Sequence, residues 1–188
     1  MATERTVVVA AASRHGSTAE IAERLMATLS ERLPTGWSVR AGELSDPRTL
    51  DAADAVVLGS GVYLGRWLRP ARKALRHVRG TPPLGLWVFS SGPVSDDIGD
   101  NARVIAADKA VESGDAVSHT VFAGRLDTSE LAWWERLPVR AVHATSGDWR
   151  DWTIIDEWAV TIAAHLTASD RDASTDGTFY PRHPVDSV

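Results

Sequence analysis

The sequence predicts an α/β fold, one open sheet of parallel strands with helices packed against it. Three observations carry this expectation. The strand-like segments TVVVAA (Thr6–Ala11), AVVL (Ala55–Leu58) and LGLWVF (Leu84–Phe89) are apolar without alternation. Such runs suit strands covered on both faces, as in parallel sheets. Segments with apolar residues at helical spacing alternate with these strands. Finally, three loops, SRHGST, GSGVYLGRW and SSGPVSDDIGD, each follow a strand. Ligands of open parallel sheets bind outside the carboxyl ends of the strands, so these loops predict one site.

The elements follow in order. After the first strand, Ile21, Leu25, Met26 and Leu29 mark a helix from Ser17 to near Leu33, closed by Pro34 and Gly36. Trp37–Ala41 is a short second strand and Ala55–Leu58 the third. A second helix is expected over Trp67–Val78, with Pro70 tolerated in its first turn. Leu84–Phe89 is the fourth strand, Asn101–Glu112 a helix, and Val117–Phe122 the fifth strand. Glu130–Val142 has helical character. Asp151–Leu166 is a further helix with Ile154, Ile155, Trp158, Ile162 and Leu166 as its apolar stripe. One domain over residues 1–168 is expected, then a flexible tail over 169–188, where the periodicity stops.

Composition narrows the function classes. A net charge of -5 argues against a general nucleic-acid-binding surface. No apolar run reaches the ~18–20 residues that span a bilayer, and no basic-then-apolar leader opens the chain, so a cytoplasmic protein is expected. The absence of cysteine excludes disulfides, thiolate metal sites and cysteine nucleophiles. Redox chemistry would therefore need an organic cofactor or a non-cysteine metal site. The histidines, at 15, 77, 119, 143, 165 and 183, show no metal-ligand spacing. Ser90-Ser91-Gly92 is not a GxSxG elbow, and no acid/base pair stands out, so no catalytic side chain is assigned. The eight tryptophans, concentrated between 133 and 158, read mostly as core filler.

SRHGST, residues 13–18, sits where helix N–H groups lack partners and the helix dipole is positive. Gly16 allows a tight turn; Ser13, Ser17 and Thr18 offer hydroxyls; Arg14 and His15 offer charge. Two readings stand level: a phosphate-binding loop, or a helix cap by Ser17 or Thr18 with Glu20 nearby. In the second loop, Gly59, Gly61 and Gly65 surround Tyr63, giving a backbone that a planar ligand can approach. Tyr63 either stacks on such a ligand or covers the sheet end, while Trp67 reads as a core anchor. In the third loop Ser90, Ser91 and the following backbone offer hydrogen bonds to a heterocycle's edge, and Asp96, Asp97 and Asp100 form an acidic cluster of the kind that normally marks a solvated loop.

These stretches, S-R-H-G-S-T-x-E-I-A, A-V-V-L-G-S-x-V-Y-x-G-R-W and W-V-F-S-S-G-P, resemble the flavodoxin-like domain family. The likeness is nearest to menaquinone-dependent protoporphyrinogen oxidase (dehydrogenase) and its flavodoxin-domain relatives. V-F-A-G-R-L (Val121–Leu126), L-A-W-W-E-R-L and S-G-D-W-R-D-W follow in that family's order, so the likeness spans residues 5–166. The resemblance implies a three-layer sandwich with a five-stranded parallel sheet ordered 2-1-3-4-5. It also implies FMN as cofactor. By position, Ser13, Arg14, His15, Gly16, Ser17 and Thr18 would hold its phosphate. Gly61, Val62, Tyr63, Leu64 and Gly65 would meet one side of the ring, and Ser90, Ser91, Gly92 and Pro93 the other. The segment Pro93–His119 departs from the oxidase, being acidic where that family carries a basic insertion.

The resulting expectation is an FMN-binding protein that transfers electrons or hydride. Its partner would be a redox protein, a quinone or a small-molecule substrate. A protoporphyrinogen IX dehydrogenase with a quinone acceptor is the narrower form, with peripheral membrane contact left open. The alternative is a cofactor-free flavodoxin fold serving as an interaction or regulatory module. The oligomeric state is not legible.

Overall fold

The computed structural model describes residues 4–63, 65–79, 82, 84–92, 105–126 and 146–175. Strands β1 (Arg5–Ala12), β2 (Trp37–Ala41), β3 (Ala55–Tyr63), β4 (Arg66–Trp67), β5 (Gly85–Ser91) and β6 (Ser118–Phe122) form one sheet. Its five long strands are parallel in the order β2-β1-β3-β5-β6, and β4 folds back antiparallel on β3. Counting the long strands alone, this is the expected 2-1-3-4-5 order. Helices α1 (Ser17–Arg32), α2 (Arg69–Val78), α3 (Ile105–Glu112) and α4 (Trp152–Thr175) cover the sheet. A separate pair, β7 (Arg125–Leu126) and β8 (Gly147–Asp148), is antiparallel.

The unalternating strands are explained by two cores, one on each face. Val8, Val56, Leu58, Leu86 and Val88 point to one side, against Ala71, Ala74, Leu75 and Val78 of α2 and Ala107 and Ala110 of α3. Their neighbours Val7, Val9, Val57, Trp87 and Phe89 point to the other. There they meet Ile21, Leu25 and Leu29 of α1 and Ile155, Ile162 and Leu166 of α4. Successive side chains of a strand point to opposite faces, so two covered faces call for apolar residues at both parities.

Several elements differ from expectation. β3 runs five residues past Leu58, because Gly59, Ser60 and Gly61 keep pairing with Phe89, Ser90 and Ser91. Gly59 is required there: a Cβ would lie 2.1 Å from Cζ of Phe89. Trp67 belongs to β4 and not to the helix, which starts at Arg69 with Pro70 in its first turn. α4 continues beyond Leu166, the last residue of its apolar stripe, to Thr175, and Arg5 pairs with Asp170 at 2.7 Å. Residues 169–175 are thus helix where a flexible tail was expected. The 3₁₀ turn Pro47–Leu50, where Asp46 accepts from the Arg48 N–H, had no periodic signal. The expected helix at 130–142, the helix start at 101–104, Trp133, Trp134 and residues 176–188 lie outside the described residues.

Candidate functional site

Parallel register sets the ends of β1, β3 and β5 side by side: Ala12 opposite Ser60, and Gly61 opposite Ser91. The first loop leaves β1 through half-buried Ser13 and exposed Arg14, then turns at Gly16 with φ of 79°. That left-handed conformation favours glycine. Gly16 is itself the helix cap, so Ser17 and Thr18 lie inside the first turn and no side chain caps α1. The positive end of the helix dipole thus faces the loop without an oxygen supplied by its cap. Ser17 is buried, and its Oγ accepts the Arg125 backbone N–H at 2.9 Å, leaving its own O–H to donate.

The second loop lies directly against the first. A Cβ on Gly61 would stand 3.1 Å from Thr18 Oγ1 and 3.1 Å from Tyr63 Cε2. Glycine therefore keeps open the space between the buried Thr18 hydroxyl and the Tyr63 ring. The Arg14 guanidinium lies 4.7 Å from the centre of that ring, and the His15 and Tyr63 ring centres are 6.4 Å apart. Ser60 holds the turn from beneath: its hydroxyl donates to the Gly61 carbonyl and accepts from the Leu68 N–H. Gly65 turns with φ of 69° at the exposed tip. The third loop joins through Gly92, whose missing Cβ would lie 3.8 Å from Val62, and whose N–H donates to the Phe122 carbonyl. Leu64 and Pro93 lie outside the described residues.

Ser90 behaves differently from its expected place at a ligand's edge. Its side chain is wholly buried, and its Oγ accepts the Trp67 indole N–H at 2.8 Å. The same oxygen lies 2.8 Å from His119 Nε2, and His119 Nδ1 lies 2.9 Å from Asp108 Oδ1. One direction of donation satisfies all four groups: indole to Ser90, Ser90 to Nε2, Nδ1–H to Asp108. The contacts are those of a serine–histidine–aspartate triad, yet the serine is sealed beneath a tryptophan only 2% exposed. A sealed serine cannot meet a substrate, so the network braces the second loop against β5 and β6.

A fourth element borders the site that the loop motifs did not announce. β7 and β8 lie beside the first turn of α1, where Glu20 forms an ion pair with Arg125 at 3.1 Å and accepts a hydrogen bond from Arg150 at 2.7 Å. The Arg150 side chain is almost fully buried and also grips Asp148 through two bonds, which hold that carboxyl below the usual carboxylate range. Its guanidinium rests 4.5 Å from the centre of the Trp152 ring. Arg125 follows the V-F-A-G stretch, whose order was legible, but its approach to Gly16 was not.

Among the described residues no group of three or more His, Asp or Glu is placed to hold a metal ion. No helix among them is long and apolar enough to cross a membrane.

Comparison with known proteins places this geometry. The flavodoxin domain family model matches residues 8–152, well over half of the chain. No curated protein sequence matches. Among solved structures, a flavodoxin from the domain Archaea superposes with a TM-score of 0.55 at 15% identity, over 86% of this chain and 99% of that one. Oxidised flavodoxin 2 from Bacillus cereus gives 0.52 at 17% identity, over 87% and 99%. The Flv1 flavodiiron core from Synechocystis sp. PCC6803 gives 0.58 at 13% identity; it covers 89% of this chain, which spans only 37% of that core. These likenesses share the fold, and the family match runs through the residues of all three loops. The chain belongs to the flavodoxin domain family.

Proposed function

We propose that this chain binds FMN where its three loops meet and acts as a flavin-dependent redox protein. The observation that carries the reading is the space kept by Gly61 between Thr18 and Tyr63, at the uncapped start of α1. This arrangement suits a flavin phosphate. Ser13, Thr18 and the Ser17 O–H, with the opening N–H groups of α1, supply donors and partial positive charge for an anion. Tyr63, the strand residue Gly61 and the glycines with positive φ at 65 and 92 suit a flat ring beside the sheet end. Ser91 and Gly92 approach through their backbone, while Ser90 acts from below, fixing Trp67. Arg14, lying over Tyr63, and His15 beside it belong to the ring side of the loop.

When bound, FMN supplies the electron or hydride chemistry, and the protein positions and tunes it. That division asks no catalytic acid or base of the chain itself. The sequence likeness to menaquinone-dependent protoporphyrinogen oxidase makes a porphyrinogen the first donor to test and a quinone the first acceptor. Electron exchange with a partner protein is the competing use of the same flavin. Uptake of FMN by the purified chain tests the reading; a chain that binds no FMN on titration, and is colourless once free flavin is removed, would leave the interaction-module alternative. Oxidation of protoporphyrinogen by the loaded protein, faster with menaquinone, would support the narrower activity. Flavin uptake without it would favour a carrier.

A further inference from the structure

We propose that Arg125, a residue outside the three loops, is the counter-ion of the bound phosphate and sets the preference for FMN over riboflavin. This rests on the FMN reading above. Arg125 approaches the phosphate loop from 108 residues beyond Ser17, and two contacts fix its place. Its backbone N–H donates to Ser17 Oγ at 2.9 Å, which seats β7 on the first residue of α1. Its Nη2 would lie 3.9 Å from a Cβ on Gly16, the turn residue of the loop. The side chain is about one-third exposed, so it retains room to move.

The charges around it define its role. Glu20 lies in the first turn of α1, and its carboxylate would repel a phosphate seated at the same helix end. Arg150 and Arg125 both pair with Glu20, but they differ in kind. The Arg150 side chain is 3% exposed, contacts Glu20 at 2.7 Å and is fixed on its other side by Asp148. Arg125 contacts Glu20 at the longer distance of 3.1 Å, and its charge also acts on Asp148, its partner across the β7–β8 pair, with no ion pair between those two among the described residues. Glu20 keeps its bond to Arg150, which it shares with Asp148, when Arg125 turns its guanidinium to a phosphate oxygen beside Gly16. The bond then formed is charge-assisted on both sides.

The test compares two ligands that differ only by the phosphate. The intact chain and its Arg125→Gln, Arg125→Lys and Glu20→Gln variants are titrated with FMN and with riboflavin. Arg125→Gln keeps the backbone bond to Ser17, so β7 stays seated. It should weaken FMN binding about ten- to a hundredfold, the range of a charge-assisted hydrogen bond, with riboflavin affinity unchanged. Arg125→Lys should recover part of the loss, and Glu20→Gln should keep or raise FMN affinity. Equal losses for FMN and riboflavin, no loss for either, or a Glu20→Gln loss matching that of Arg125→Gln would overturn the proposal. If the wild-type chain takes up neither flavin, the FMN reading itself fails and this one with it. Wild-type uptake with an unchanged ligand preference in Arg125→Gln would refute the counter-ion alone.

Discussion

The hydroxyl of Ser90 joins the Trp67 indole to His119 inside the core, although its neighbours in sequence suggested a ligand-facing turn. No spacing rule links Ser90 to His119, 29 residues away, or Asp108 to His119 across a helix–strand connection. Such contacts arise from register between strands, which single residues do not reveal. Ser90→Ala would leave a buried indole N–H and an imidazole nitrogen without their partner. A loss of about 1–3 kcal/mol in urea unfolding is expected; a variant as stable as wild type would show the network to be idle. Gly59 makes the opposite case, a position where only the absence of a side chain is tolerated. Gly59→Ala drives a methyl into the Phe89 ring. A loss of about 1–3 kcal/mol or more should follow, visible as a lowered unfolding midpoint.

Among the elements, long ones were legible and two-residue ones were not. β1, β2 and α1 matched the sequence pattern within a residue or two; β1 carries an unbroken apolar run, α1 carries a helical stripe, and β2 follows directly on the Pro34–Gly36 break. β4, β7 and β8 are too short for any period, yet they position Trp67 and Arg125. Packing of α1 on α4 includes a polar tie of the same hidden kind. Arg24 donates twice to Asp156, at 2.7 and 2.5 Å, and Thr28 adds a third bond. The Arg24 hydrogen bonds lead in holding the Asp156 carboxyl below its ordinary value. A depressed carboxyl pKa stabilises the fold above the unfolded value near 3.9, and the benefit fades as pH falls through the lower folded value. Asp156→Asn should therefore cost under about 1 kcal/mol at neutral pH, as exposed pairs do. The difference from wild type should close below about pH 4 in acid-titrated unfolding; a gap that persists there would point to packing.

For the whole molecule, the sheet topology was legible, and it alone placed three distant loops at one edge. Strand runs without alternation implied two covered faces, and parallel connections implied that residues 13–18, 61–65 and 90–93 share an end. The structure brings Thr18 to Gly61 and Val62 to Gly92, the contacts this topology needs. The charge of the site was not legible in the same way. Arg14 and His15 lie within the loop motif and were its evident cations, yet the guanidinium beside Gly16 belongs to Arg125, 108 residues beyond Ser17. Equilibrium titration of the intact chain with FMN discriminates between a flavin site and an empty relic of one. Saturable uptake of one FMN per chain is expected, weakened at least about tenfold in Ser13→Ala/Thr18→Ala through lost phosphate hydrogen bonds. No saturable uptake by the wild-type chain, or an unchanged affinity in the double variant, would contradict the assignment of the SRHGST loop to the flavin phosphate.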